Sequence, residues 1–143
     1  QLEMLKNDLS LLPNAIEEML RWATPVRNMN RTATQDVVVN GFTIHKGDRI
    51  LLLYPSANRD EKVFSDPFKF DITRTPNDHV AFGAYGRHHC LGAPLARLEL
   101  RVLFEEILRR FDTMQLATDG PLPWRRGNFV LGLNEVPVTF TAK

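Results

Sequence analysis

The sequence predicts an α+β chain that is mainly α, with two principal helices, a small β region and long stretches of ordered loop. Three observations carry this expectation. Pro13 to Trp22 places apolar residues at helical spacing, and Leu91 to Phe111 does so over many turns. Between them, Val37 to Leu53 breaks into short β-branched and aliphatic runs separated by turn residues.

In Pro13 to Trp22, the proline suits a first turn because its missing N–H is not needed there. Ile16, Met19 and Leu20 then share one face, and Pro25 ends the helix. Strands are expected at Val37-Val38-Val39, Phe42-Thr43-Ile44 and Ile50-Leu51-Leu52-Leu53, divided by Asn40-Gly41 and Lys46-Gly47-Asp48. Asn-Gly tolerates the two positive φ angles of a tight hairpin turn. From Tyr54 to Val80 three prolines, scattered Asp and Asn, and Phe64, Phe68 and Phe70 occur without a period, which predicts an ordered meander packed by its rings.

The second helix carries a stripe of Leu91, Leu95, Leu98 and Val102, widened by Leu100, Leu103, Phe104, Ile107 and Leu108. So broad an apolar girth predicts deep burial. Short strands should follow Phe111, with a turn at Asp119-Gly120-Pro121 and an alternating run from Val136 to Phe140. Neither an internal repeat nor a domain boundary interrupts residues 1–143, which read as one unit.

A content of 43% hydrophobic and 24% charged residues is that of an ordered globular chain and excludes low-complexity and disordered classes. Eighteen Lys and Arg against seventeen Asp and Glu give a net charge of +1, which argues against nucleic acid or an anionic membrane surface as partner. The longest apolar run, Ile50 to Tyr54, is too short to span a bilayer, and the N-terminus lacks the layout of a signal peptide. A cytoplasmic location is expected. The single cysteine cannot form an internal disulfide, which fits a reducing compartment and leaves the thiol free for chemistry.

That cysteine, Cys90, stands at the head of the second helix in Phe82-Gly83-Ala84-Tyr85-Gly86-Arg87-His88-His89-Cys90-Leu91-Gly92-Ala93-Pro94. Free N–H groups and the positive end of the helix dipole favour a thiolate there. Pro94 fits the first turn, and Gly83 and Gly86 permit tight turning and close approach to a flat ligand. A lone cysteine is most often a small buried hydrophobe. Phe, two Gly, an imidazole two residues before the Cys and Gly two after it make a more specific pattern.

This loop resembles the haem loop of the cytochrome P450 family, F-G-x-G-x-H/R-x-C-x-G, with Gly86, His88, Cys90 and Gly92 in register from the cysteine. Phe82 lies one residue further from Cys90 than is commonest, the addition falling among Gly83, Ala84 and Tyr85. A lengthened loop is familiar from bacterial members that hydroxylate steroids and fatty acids, where the extra positions are usually glycines. The resemblance implies that Cys90 is the catalytic thiolate ligand of a haem b iron, with Phe82 against the macrocycle and Gly83, Gly86, His88 and Gly92 in the cofactor-binding loop. A zinc site from His88, His89 and Cys90 is the competing reading, but three consecutive side chains rarely converge on one tetrahedral ion, and His45 and His79 stand alone.

Further positions fit the same family. Glu18 and Arg21 form an E-x-x-R on the first helix, able to hold an ion pair, and resemble the family's buried pair that locks this core to the meander. The family's third member is an Arg where Pro67-Phe68-Lys69-Phe70 has Lys69, which lacks a guanidinium fork, so the triad should be weakened or built differently. Arg31, with His88, is implied as a propionate ligand. Val26, Met29, Phe129 and Val130 are implied as an apolar wall of the substrate pocket. The wording of residues 21–34, 56–61 and 127–132 is similar to actinobacterial steroid and fatty-acid hydroxylases.

The resemblance identifies residues 1–143 as the C-terminal haem-thiolate part of a P450, with the N-terminal half and its distal oxygen-activating helix absent. The implied activity is that of a monooxygenase, inserting one oxygen atom of O2 into a C–H bond of a hydrophobic substrate such as a steroid or fatty acid. It needs a ferredoxin and ferredoxin reductase type of electron donor and the missing N-terminal half. Arg87, Arg97 and Arg101 are candidates for a patch that docks an acidic ferredoxin. The alternative is a non-catalytic haem-binding or partner-binding fragment without turnover of its own.

Overall fold

The computed structural model describes residues 1–83 and 86–143. It opens with α1 (Leu2–Asn7), a single 3₁₀ turn (Leu9–Leu11) and α2 (Leu12–Ala23). Pro13 occupies the first turn of α2, and Thr24 ends it in the left-handed conformation at φ 39°. The Thr24 hydroxyl donates to the Arg21 carbonyl at 2.6 Å and accepts from Asn58 Nδ2 at 2.9 Å, so the helix end is tied to a distant loop. One face of α2, Leu12, Ala15, Ile16 and Leu20, is buried with Leu5, Ile72, Ala81 and Leu108, forming a core shared with the first helix, the last helix and the segment before the cysteine loop.

Among the described residues the strands form three two-stranded antiparallel ribbons, of which one is set by local turn chemistry. The hairpin of β2 (Val37–Val39) and β3 (Phe42–Ile44) turns through Asn40 at φ 50° and Gly41 at φ 84°, the two positive φ angles its dipeptide favours. It sits between β1 (Asn28–Thr32) and β4 (Arg49–Leu53), which pair with Asn28 opposite Leu53 and Arg31 opposite Ile50. A single helical turn, α3 (Tyr54–Ala57), leads into the meander. The long helix α4 (Ala93–Arg110) is followed by β5 (Phe111–Leu116), which pairs with β6 (Val138–Ala142) at the end of the chain. The mixed, mainly helical class expected from the sequence is the class observed.

Two expectations are corrected. The strand β1 was not foreseen, because Asn28-Met29-Asn30-Arg31-Thr32 has no apolar alternation; its conformation comes from pairing with β4. Deep burial of α4 is also not observed. Of its residues only Ala93 and Leu108 are buried, while Leu95, Leu98, Val102 and Leu103 are about half exposed. The core reaches only the flank bearing Leu100, Phe104 and Leu108, so the girth of α4 exceeds what this chain covers. Among the described residues no helix is long and apolar enough to cross a membrane.

Candidate active site

The cysteine loop is closed by its own backbone. The Cys90 N–H donates to the Phe82 carbonyl at 3.0 Å, and the Cys90 carbonyl accepts from Ala93 N–H at 3.2 Å. Cys90 is thereby held two residues before Gly92, the N-cap of α4, with its side chain exposed. Gly83 at φ 84° and Gly86 at φ 131° use backbone conformations that strain residues with a Cβ. A Cβ on Gly92 would stand 3.8 Å from Cys90 Sγ, so the glycine keeps that flank of the sulfur bare. Ala84 and Tyr85, two of the three positions among which the added loop residue falls, lie outside the described residues.

Cys90, Phe82, His88 and Arg31 line one cavity of about 440 Å³, together with Val26 and Met29. An adjoining cavity of about 400 Å³ shares Arg31, Gly83 and His88 and adds Gly86. Arg31 reaches the cavity from β1, and its Nη1 donates to the Asn30 carbonyl at 2.8 Å. A mainly apolar cavity lined by a thiol, a guanidinium and an imidazole suits an apolar ligand bearing anionic substituents, so these residues fit a haem. Phe129 and Val130 do not line this cavity. They are stitched beside it: the Phe129 carbonyl accepts from Arg27 N–H at 2.9 Å, and Val130 forms an isolated antiparallel bridge with Val26.

Glu18 and Arg21 form a pair whose side chains are both fully buried. Arg21 Nε and Nη2 donate to the two Glu18 oxygens at 2.7 and 2.8 Å, and the remaining guanidinium capacity reaches the carbonyls of Asn58, Pro67 and Lys69. Lys69 contributes that carbonyl, while its ammonium pairs with Asp71 at 3.3 Å near the surface. The second cation on Glu18 is Arg74, at 3.2 Å with its side chain almost buried, and it also donates to the carbonyls of Ser65, Asp66 and Lys69. Sequence reading missed Arg74, because it stands 56 positions from Glu18 and nothing local links the two. Burial pushes the Glu18 carboxyl up, but hydrogen bonds from Arg21 and the Asp71 amide, with the charges of Arg21 and Arg74, hold it below its ordinary value.

Glu17 faces the other way. It accepts from Arg97 Nε and Nη2 at 2.7 and 2.8 Å, and its Oε2 lies 3.0 Å from His79 Nε2. His79 is therefore not isolated, and Arg97 is engaged within the fold instead of being offered whole to a docking partner. Arg101 lies 3.3 Å from Glu105 on its own helix. Among the described residues no group of three or more His, Cys, Asp and Glu is placed to hold a metal ion, so His88, His89 and Cys90 do not converge as a zinc site would require.

A model of the cytochrome P450 family matches residues 2–141. The chain is 54% identical over 141 residues to the steroid C26-monooxygenase of Mycolicibacterium smegmatis, covering 99% of this chain and 35% of that protein. It is 47% identical over 131 residues to the methyl-branched lipid omega-hydroxylase of Mycobacterium bovis, covering 92% and 30%. The crystal structure of CYP109E1 from Bacillus megaterium in complex with testosterone superposes with a TM-score of 0.89 at 39% identity, covering 96% of this chain and 38% of that one. The chain spans about a third of the length of the curated relatives it matches.

Proposed function

Because the chain belongs to the cytochrome P450 family, we propose that it is the C-terminal, thiolate-bearing part of a haem b monooxygenase acting on a hydrophobic substrate, with Cys90 the ligand of the iron. The carrying observation is that Cys90, Phe82, His88 and Arg31, drawn from a loop and a separate strand, line one cavity. Haem, when bound, supplies the activation of dioxygen, for which a thiolate ligand is suited because it pushes electron density toward O–O cleavage.

The chain's own residues bind, orient and exclude. Cys90 presents Sγ from a loop fixed at Phe82 and Ala93. Arg31 and His88 would hold the anionic substituents of a bound haem by charge-assisted hydrogen bonds. Gly83, Gly86 and Gly92 leave room for a close backbone approach, and Phe82 would supply an apolar contact to a bound haem. Val26 and Met29 form an apolar wall that excludes water and steers the C–H bond to be oxidised, with Phe129 and Val130 at its margin. Electrons come from a ferredoxin-type donor. Similarity to a steroid monooxygenase, a lipid hydroxylase and a testosterone-binding P450 supports a steroid or fatty-acid substrate.

A second reading, a haem-binding or partner-binding unit without turnover of its own, is favoured by the half-exposed face of α4. One experiment addresses both. Haem-reconstituted chain is reduced under carbon monoxide beside a Cys90→Ser control, and consumption of a steroid and of a fatty acid is followed with a ferredoxin and its reductase. A strongly red-shifted Soret band that disappears in the control is the expected result. The same band in Cys90→Ser overturns the ligand assignment, and ligation without turnover even when the complementary part of a relative is supplied selects the second reading.

A further inference from the structure

Glu17 and Glu18 are adjacent on α2, so their side chains leave the helix about 100° apart and serve different neighbours. Glu18 organises the meander. Glu17 gathers Arg97 from α4 and His79 from the segment entering the cysteine loop. The Ala81 N–H donates to His79 Nδ1 at 3.2 Å, which places the ring proton on Nε2, where it donates to Glu17.

Both groups held by Glu17 rest on one ring. The Arg97 Cζ lies 4.8 Å from the Phe82 ring centroid, within cation–π range, and the His79 ring stands 6.3 Å away at a tilt of 54°. The carbonyl of Phe82 accepts the Cys90 N–H. A continuous path thus runs from the Glu17 carboxylate through two side chains to Phe82 and from its backbone to Cys90. A bidentate carboxylate fixes a guanidinium plane as a single contact cannot.

We propose that Glu17 is a positioning residue for the cysteine loop: by locking Arg97 and His79 against Phe82, it sets where Cys90 is held. This rests on the reading of Cys90 as the haem ligand, but the clamp is a property of the protein alone and is measurable without haem. Glu17→Gln removes the charge that holds the Arg97 fork while keeping the side-chain length. Arg97→Lys keeps a charge but loses the fork and the planar stacking surface.

The test is hydrogen exchange at single amides of the 143-residue chain. The Cys90 amide reports the loop, while those of Gly47 and Ala117, bonded to the Ala33 and Pro137 carbonyls at 2.8 and 2.9 Å, report distant turns and the β5–β6 ribbon. In Glu17→Gln the Cys90 amide is expected to exchange at least about tenfold faster with Gly47 and Ala117 unchanged, tenfold being about 1.4 kcal/mol of opening. Arg97→Lys is expected to fall between wild type and Glu17→Gln. Unchanged exchange at Cys90, or equal acceleration at all three amides, overturns the proposal. The haem-loaded chain gives the second readout: a smaller share of the red-shifted carbon monoxide band in Glu17→Gln, partly restored in Glu17→Asp. Failure of wild type to bind haem through Cys90 sinks the reading of the site, whereas normal ligation with unaltered Cys90 exchange in the variant sinks only the clamp.

Discussion

At the scale of single residues, two adjacent carboxylates hold the fold around the site and face opposite ways. Glu18 and Arg21 are charges without solvent, tolerable because hydrogen bonds engage both carboxylate oxygens and each nitrogen of the guanidinium. Removing one member strands the other, a loss of about 3–5 kcal/mol. Arg21→Ala is therefore expected to lower the urea midpoint severely, and a midpoint near wild type would contradict the buried-pair account. Glu17 contributes a pH dependence. Burial pushes its carboxyl up, but the hydrogen bonds from Arg97 and His79 outweigh burial and hold it at about 2, against 4.5 ordinarily. A carboxyl held low in the fold takes up a proton on unfolding. Its contribution to stability is complete above 4.5 and drains as pH falls from there toward 2. Glu17→Gln should flatten that part of the stability profile, measured as urea midpoint against pH, and leave the profile's shape near neutrality unchanged.

At the scale of elements, the β2–β3 hairpin depends on its turn. A Cβ on Gly41 meets nothing within 4 Å, so Gly41→Ala adds no clash and its cost is backbone strain at φ 84°. A loss of about 1 kcal/mol is expected, read as a lower melting temperature, with the Cys90 loop unaffected. This hairpin was legible in the sequence because Asn40-Gly41 encodes its turn locally. So were α2, by its proline and apolar spacing, and the cysteine loop, whose chemistry needs neighbours along the chain. β1 was not legible, since a polar strand acquires its state from β4 and not from its own residues. Arg74 on Glu18 and Arg97 on Glu17 were missed for a related reason. Those contacts join positions 56 and 80 residues apart, and nothing in the local text of either partner names the other.

At the scale of the whole molecule, the disposition of apolar surface decides how the chain behaves in isolation. Leu95, Leu98, Val102 and Leu103 follow one another along α4 and are each about half exposed, whereas the opposite flank packs Leu100 and Phe104 against the core and buries Leu108 in it. Contiguous apolar surface of this kind seeks cover, and the proposed occupant is the remaining part of a full-length P450, consistent with a chain about a third as long as its relatives. Without that occupant the face should pair with its like. The isolated chain is expected to self-associate with rising concentration in sedimentation velocity, and the double variant Leu95→Lys, Leu98→Glu to remain monomeric. Because neither side chain is buried, the variant's stability should stay within about 0.5 kcal/mol per site of wild type. A wild-type chain that stays monomeric at every concentration would show that this face needs no cover, whereas a variant that unfolds would show that Leu95 and Leu98 support the core more than their exposure indicates. If the variant is folded and monomeric but no longer associates with the complementary part of a relative, the same leucines are placed in the joint between the two parts.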